Sequence, residues 1–71
     1  MTDRRRNLKL LTAQETKVLK LVAKGQTNKE IATALRISPS TAKRHVENIL
    51  KKLQLKNRVT AAVYAVTAQI I

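Results

Sequence analysis

The sequence predicts an all-α fold: a four-helix bundle whose two central helices are joined by a short turn. Three observations carry this expectation. Thr12, Thr27, Ser38 and Asn57 each stand at the head of a segment whose apolar residues recur at helical spacing. The only glycine, Gly25, and the only proline, Pro39, fall at boundaries between such segments. These are the places where a helix end and a helix start want them. No segment carries a strand signal.

Residues 1–10 hold Arg4, Arg5, Arg6 and Lys9 with no apolar period, and are expected to form a mobile basic arm. Such an arm is either a phosphate-contacting or minor-groove tail, or simply a solvated linker. The folded domain is expected to occupy residues 11–71. Its first helix, about residues 12–24, opens with the capping box Thr12-Ala13-Gln14-Glu15. Val18, Leu19 and Val22 turn inward on it, Lys17, Lys20 and Lys24 turn outward, and Gly25 ends it. A second capping box, Thr27-Asn28-Lys29-Glu30, opens a short helix over 27–35 with Ile31, Ala32 and Leu35 on one face. Arg36-Ile37-Ser38 then leads into the third helix, 39–53. The serine hydroxyl caps a free N–H there, and proline at the first helical position loses no needed donor. Ala42, Val46, Ile49, Leu50 and Leu53 fall on one face, and Ser40, Lys43, Arg44, Glu47 and Lys51 on the other. A short helix, a three-residue turn and a longer amphipathic helix make a helix-turn-helix. Ala32 lets the pair approach closely, and Ile37 covers the corner beside Ala42. The fourth helix, 57–69, is capped by Asn57. It has one apolar line of Val59, Val63, Val66 and Ile70, and a second of Ala61, Ala62, Ala65 and Ala68. Two apolar lines exceed what a small core can cover, which points to a second copy of the chain packed on this helix, unless the alanines are there simply as good helix formers and the last turn frays. Ala61, Ala65 and Ala68 are the expected homodimer contact.

Composition narrows the function. Fifteen Lys and Arg against four acids leave a formal net charge of +11 in 71 residues. Such a balance asks for a polyanion, with nucleic acid first and an anionic membrane surface second. There is no Cys, hence no disulfide framework or thiolate metal site. No apolar run is long enough to span a bilayer, and no signal peptide is visible. The acids Asp3, Glu15, Glu30 and Glu47 are dispersed, two of them within capping boxes, and no nucleophile–base pair or glycine-rich phosphate loop occurs. An enzyme, a cofactor, a metal and a bound small molecule are therefore not expected.

Several motifs in order resemble a known family. They are Leu11-Thr12-x-x-Glu15, Val18-Leu19, Gly25, Asn28-Lys29-Glu30-Ile31-Ala32, Ser38-x-x-Thr41-x-Lys43-x-His45, Ile49, Lys52-Leu53 and Asn57-Arg58. Together they resemble the LuxR-type helix-turn-helix, the DNA-binding domain of LuxR, NarL and FixJ regulators and of the spore-coat regulator GerE. The match covers roughly Leu11 to Val66. It implies a sequence-specific transcription regulator, cytoplasmic and nucleoid-associated, with double-stranded DNA as partner. The third helix would lie in the major groove, the second would brace it, and the fourth would form the dimer contact. The resemblance also implies that Lys43, Arg44 and Glu47 approach base edges. Thr27, Asn28, Lys29, Ser40, Thr41, His45 and Lys51 would lie near phosphates or hold the helix pair.

The residues fit those roles chemically. Arg44 can pair bidentately with guanine O6 and N7, and Lys43 can do similar work or take a phosphate. The open N–H groups and dipole at the start of the second helix favour a phosphate near Thr27, Asn28 and Lys29. Lys51 and Lys52 are expected to meet the DNA backbone or nothing. His45, the only histidine, is expected to pack and make one hydrogen bond, with a phosphate contact second. Four departures from the family pattern stand out. Ala42 replaces a usual valine. Gln54 replaces a frequent glycine, so the third helix should end differently. Glu47 is acidic where basic or polar residues are common, which allows a cytosine N4 contact. Gln14 replaces an arginine, so an ion pair around Glu15 is expected to be missing.

Three readings remain open on sequence alone. The first is the dimeric regulator, either self-standing or the output domain of a longer chain. The second is a non-specific nucleic-acid binder or an RNA polymerase-associated helix-turn-helix. The third is a protein–protein adaptor.

Overall fold

In the computed structural model, residues 9–68 are described; the arginines of the basic arm and Ile70 lie outside them. The described residues form four helices and no strand: α1 (Ala13–Ala23), α2 (Asn28–Leu35), α3 (Pro39–Lys52) and α4 (Arg58–Thr67). Each helix begins where its cap residue predicts. The Glu15 N–H donates to Thr12 Oγ1 at 3.1 Å, and the Thr12 N–H donates back to Glu15 Oε1 at 2.9 Å. Thr27 and Glu30 repeat the exchange at 3.2 and 2.8 Å. Ser38 Oγ accepts from the Thr41 N–H at 3.1 Å. Asn57 and Thr60 close a third reciprocal box, at 2.9 and 3.1 Å, which the sequence reading did not anticipate.

The helix ends follow one rule. After α1, the Gln26 N–H donates to Leu21 O and the Gly25 N–H to Val22 O, with Gly25 left-handed at φ 82°. This is the Schellman pattern, which satisfies carbonyls that the helix leaves open. After α2, Ile37 and Arg36 donate to Ala32 O and Thr33 O, with Arg36 at φ 57°. After α3, Leu55 and Gln54 donate to Leu50 O and Lys51 O, with Gln54 at φ 55°. The expectation that α3 would end differently without a glycine is therefore corrected. Gln54 adopts the left-handed conformation itself, because the two hydrogen bonds and the burial of the following chain outweigh its backbone strain.

The core is aliphatic apart from Tyr64. Val18, Leu19, Val22, Ile31, Ala32, Ala42, Val46, Ile49, Leu53, Ala61, Tyr64, Ala65 and Ala68 are buried together. Leu35, Ile37 and Leu50 pack against this cluster from its edge. Helix α1 packs against all three other helices, most extensively along α4, and α2 packs chiefly on α3. The helix-turn-helix thus rests on α1.

One expectation about α4 is overturned. Ala61, Ala65 and Ala68, expected at a dimer contact, lie in the core of this chain at 1%, 0% and 6% exposure. Small residues let α4 approach α1 closely, and Tyr64 on the same side fills the space beside them. The other line turns out to solvent: Val59, Val63 and Val66 are 72%, 58% and 56% exposed.

Candidate nucleic-acid interface

Helix α3 has two unlike sides. Ala42, Val46, Ile49 and Leu53 are buried, and this side fixes the rotation of the helix about its axis. Ser40, Lys43, Arg44, Glu47 and Lys51 are all exposed on the other. Glu47 is four residues from Lys43, three from Arg44 and four from Lys51, yet none of these forms an ion pair among the described residues. Their charged groups are unengaged at the surface. Near the start of α3, the hydroxyls of Ser38, Ser40 and Thr41 form a short network at 3.1 and 2.8 Å. Ser40 and Thr41 therefore support the cap, and Thr41 is half-buried.

The start of α2 supplies a second group. Lys29 is exposed. The Thr27 hydroxyl is engaged as the cap, as its capping box predicts. Asn28 is half-buried, and its Oδ1 accepts a hydrogen bond of 2.7 Å from Arg58 Nη1, across from the first residue of α4. Arg58 Nη2 donates to the Gln26 carbonyl in the loop before α2. Sequence reasoning gave Arg58 no role, because thirty positions separate it from Asn28.

Two residues behave otherwise than expected. Lys52 does not point to a partner outside the chain: its Nζ lies 2.7 Å from Glu15 Oε1. Lys52 thus supplies the ion pair expected to be missing around Glu15, and ties the end of α3 to the start of α1. Burial is the largest influence on the Glu15 carboxyl and pushes its pKa up. The Lys52 hydrogen bond, the Thr12 N–H, the Lys52 charge and the Thr12 hydroxyl together outweigh it, so the net shift is downward. His45 is half-buried, but its Nδ1 is buried with no hydrogen-bond partner among the described residues. The hydrogen bond expected of it is not made at that atom, and Nε2 is the ring nitrogen that reaches solvent.

This architecture, with a cationic face on the second helix of a helix-turn-helix, is matched by a family model described as bacterial regulatory proteins, luxR family, over residues 9–65. The chain belongs to the LuxR family of bacterial regulatory proteins. The LuxR-type domain is 45% identical over 65 residues to the response regulator protein VraR of Staphylococcus saprophyticus. The VraR proteins of Staphylococcus aureus and Staphylococcus epidermidis match at the same identity. Each alignment covers 92% of this chain and 31% of the relative, so the chain spans about a third of the length of the relatives it matches. A LuxR-type helix-turn-helix is a DNA-binding domain of transcription regulators and not an enzyme. Among the described residues of this LuxR-type domain, no helix is long and apolar enough to cross a membrane.

Proposed function

We propose that this domain reads duplex DNA sequence-specifically and is the output module of a response regulator acting on the chromosome in the cytoplasm. The observation that carries the proposal is the two-sided α3. Its apolar side is anchored in the core, and its outer side offers Lys43, Arg44 and Glu47 to solvent with no internal partners. In the major groove these three side chains read base edges: Arg44 toward guanine, Lys43 toward guanine or phosphate, and Glu47 toward cytosine N4. Lys29, the Asn28 amide, His45 Nε2 and Lys51 take phosphates on either side, while Thr27, Ser40 and Thr41 hold the helix starts from which those contacts are made.

The domain works as a homodimer through α4. The support is the exposed line Val59, Val63 and Val66, beside a shallow groove lined by Ala23, Ala62, Val63, Val66 and Thr67. Two-fold symmetry of such a pair calls for palindromic half-sites. That the relatives are response regulator proteins supports a longer parent chain whose other part carries the controlling signal.

Selection of bound fragments from random duplex DNA, followed by competition, tests the reading. The selected sequence should resist random competitor, with specific affinity about 10³-fold or more above non-specific. Arg44→Ala should relax base preference, weakening the selected sequence by about 1–3 kcal/mol while leaving random duplex less affected. Lys29→Ala should weaken every sequence to a similar extent and lower the salt slope by about 1. An Arg44→Ala protein that keeps both affinities would remove α3 from the groove.

A further inference from the structure

We propose that Arg58 is a positioning residue for DNA-backbone binding: it orients the Asn28 amide so that its NH2 group faces a phosphate. The proposal rests on the DNA reading above.

Arg58 is half-buried in the first turn of α4, a helix start held by the Asn57–Thr60 exchange. Its guanidinium spans to the entrance of α2 and donates to two acceptors that flank the cap residue Thr27: the Gln26 carbonyl on one side and Asn28 Oδ1 on the other. A rigid planar fork fits two such acceptors at once, and a lysine ammonium on a flexible stem does not hold both in one geometry. An asparagine amide is two-ended, with an oxygen that accepts and an NH2 that donates. The guanidinium donor therefore decides which end is which. A reversed amide would set N–H against N–H.

With Oδ1 held, the NH2 of half-buried Asn28 has no hydrogen-bond partner among the described residues and is not one of their buried unpartnered atoms. It stands in the first turn of α2, next to exposed Lys29. A phosphate accepts and never donates at neutral pH, so only this orientation of the amide is useful to it. Arg58 thereby acts on DNA through Asn28. It also makes the geometry of the α2 start depend on the seating of α4, the helix that carries the valine line.

The test measures affinity of the 71-residue chain for a short random-sequence duplex over a range of salt concentrations. Asn28→Ala and Arg58→Lys should each weaken binding roughly 3- to 10-fold, the scale of one lost hydrogen bond. The double variant should be no weaker than either single one. The slope of log affinity against log salt should stay at the parent value in Arg58→Lys, which keeps the charge. Losses that multiply, or an Arg58→Lys protein with parental affinity, overturn the proposal. A readout without DNA stands beside these: nitrogen relaxation of the Asn28 side-chain NH2. In the unmodified chain it should be rigid compared with that of exposed Gln54, and in Arg58→Lys it should loosen. Equal mobility of the two amides in the unmodified chain overturns the proposal even if Arg58→Lys fails to fold. A parent chain that binds no duplex overturns the DNA reading and this inference together, whereas multiplied losses overturn this inference alone.

Discussion

Glu15 shows how one side chain can serve two contacts at once. It accepts the Thr12 N–H, helps open α1, and receives Lys52 from the far end of α3. Its side chain is only 5% exposed, but that of Lys52 is 37% exposed, so solvent screens the pair in part. The carboxyl is held below its ordinary value, which means the folded state binds its proton less readily than the unfolded chain does. That contribution to stability is fully present above the unfolded value, near pH 4.5, and is lost as pH falls through the lower folded value. Urea midpoints should therefore fall on acidification below about pH 4.5. Exposed Glu30, lowered chiefly by the Thr27 N–H, adds to the same trend. In Glu15→Gln the cap acceptor survives and the charge does not, so the acid-induced drop should shrink. Glu15→Ala should cost about 1–2 kcal/mol at neutral pH by removing the cap acceptor and the buried ion-pair partner. A Glu15→Gln protein with the parental pH profile would place the acid sensitivity elsewhere.

At the scale of the helix, starts were legible in the sequence and ends were less so. A cap is a local event: Thr12, Thr27, Ser38 and Asn57 need only the backbone three residues on. A left-handed end is legible only when it is a glycine. Gly25 announced itself, but Arg36 and Gln54 adopt the same conformation with side chains that give no signal. Left-handed backbone costs a non-glycine residue roughly 1–2 kcal/mol. Glycine recovers that strain but gives back about 0.5–1 kcal/mol through the freer unfolded chain. Gln54→Gly should consequently raise stability by about 0.5–1 kcal/mol, read as a higher urea midpoint with an unchanged slope. Gly25→Ala should lower it by about 0.5–1 kcal/mol, the backbone strain less the unfolded-chain entropy that alanine removes, since an added Cβ would meet nothing within 4 Å. The exposed, charged side of α3 was legible for the same local reason as the caps. Its burial period leaves one face over, and charges occupy that face.

For the molecule as a whole, long-range choices decided what the sequence left open. Both lines of α4 are apolar, so periodicity could not say which faces inward. The usable signal was Tyr64, which shares the alanine side and is the one aromatic large enough to demand burial. The Lys52–Glu15 and Arg58–Asn28 contacts join residues 37 and 30 positions apart, beyond the reach of any local pattern. With the faces of α4 assigned, self-association has a sharp test. Val63→Glu should keep the helical fold and sediment as a monomer at concentrations where the parent pairs. Ala65→Glu should instead lose the fold, because Ala65 is fully buried. Parental sedimentation of a folded Val63→Glu protein would move the dimer contact off this helix.

Tyr64 has a practical consequence. With no tryptophan or phenylalanine in the chain, its ring is the sole source of near-ultraviolet absorption and emission. It lies in the core at 8% exposure, where α4 packs on α1, and away from the exposed, charged side of α3. The intrinsic fluorescence of this chain is thus a label-free gauge of the packing of α4 on α1.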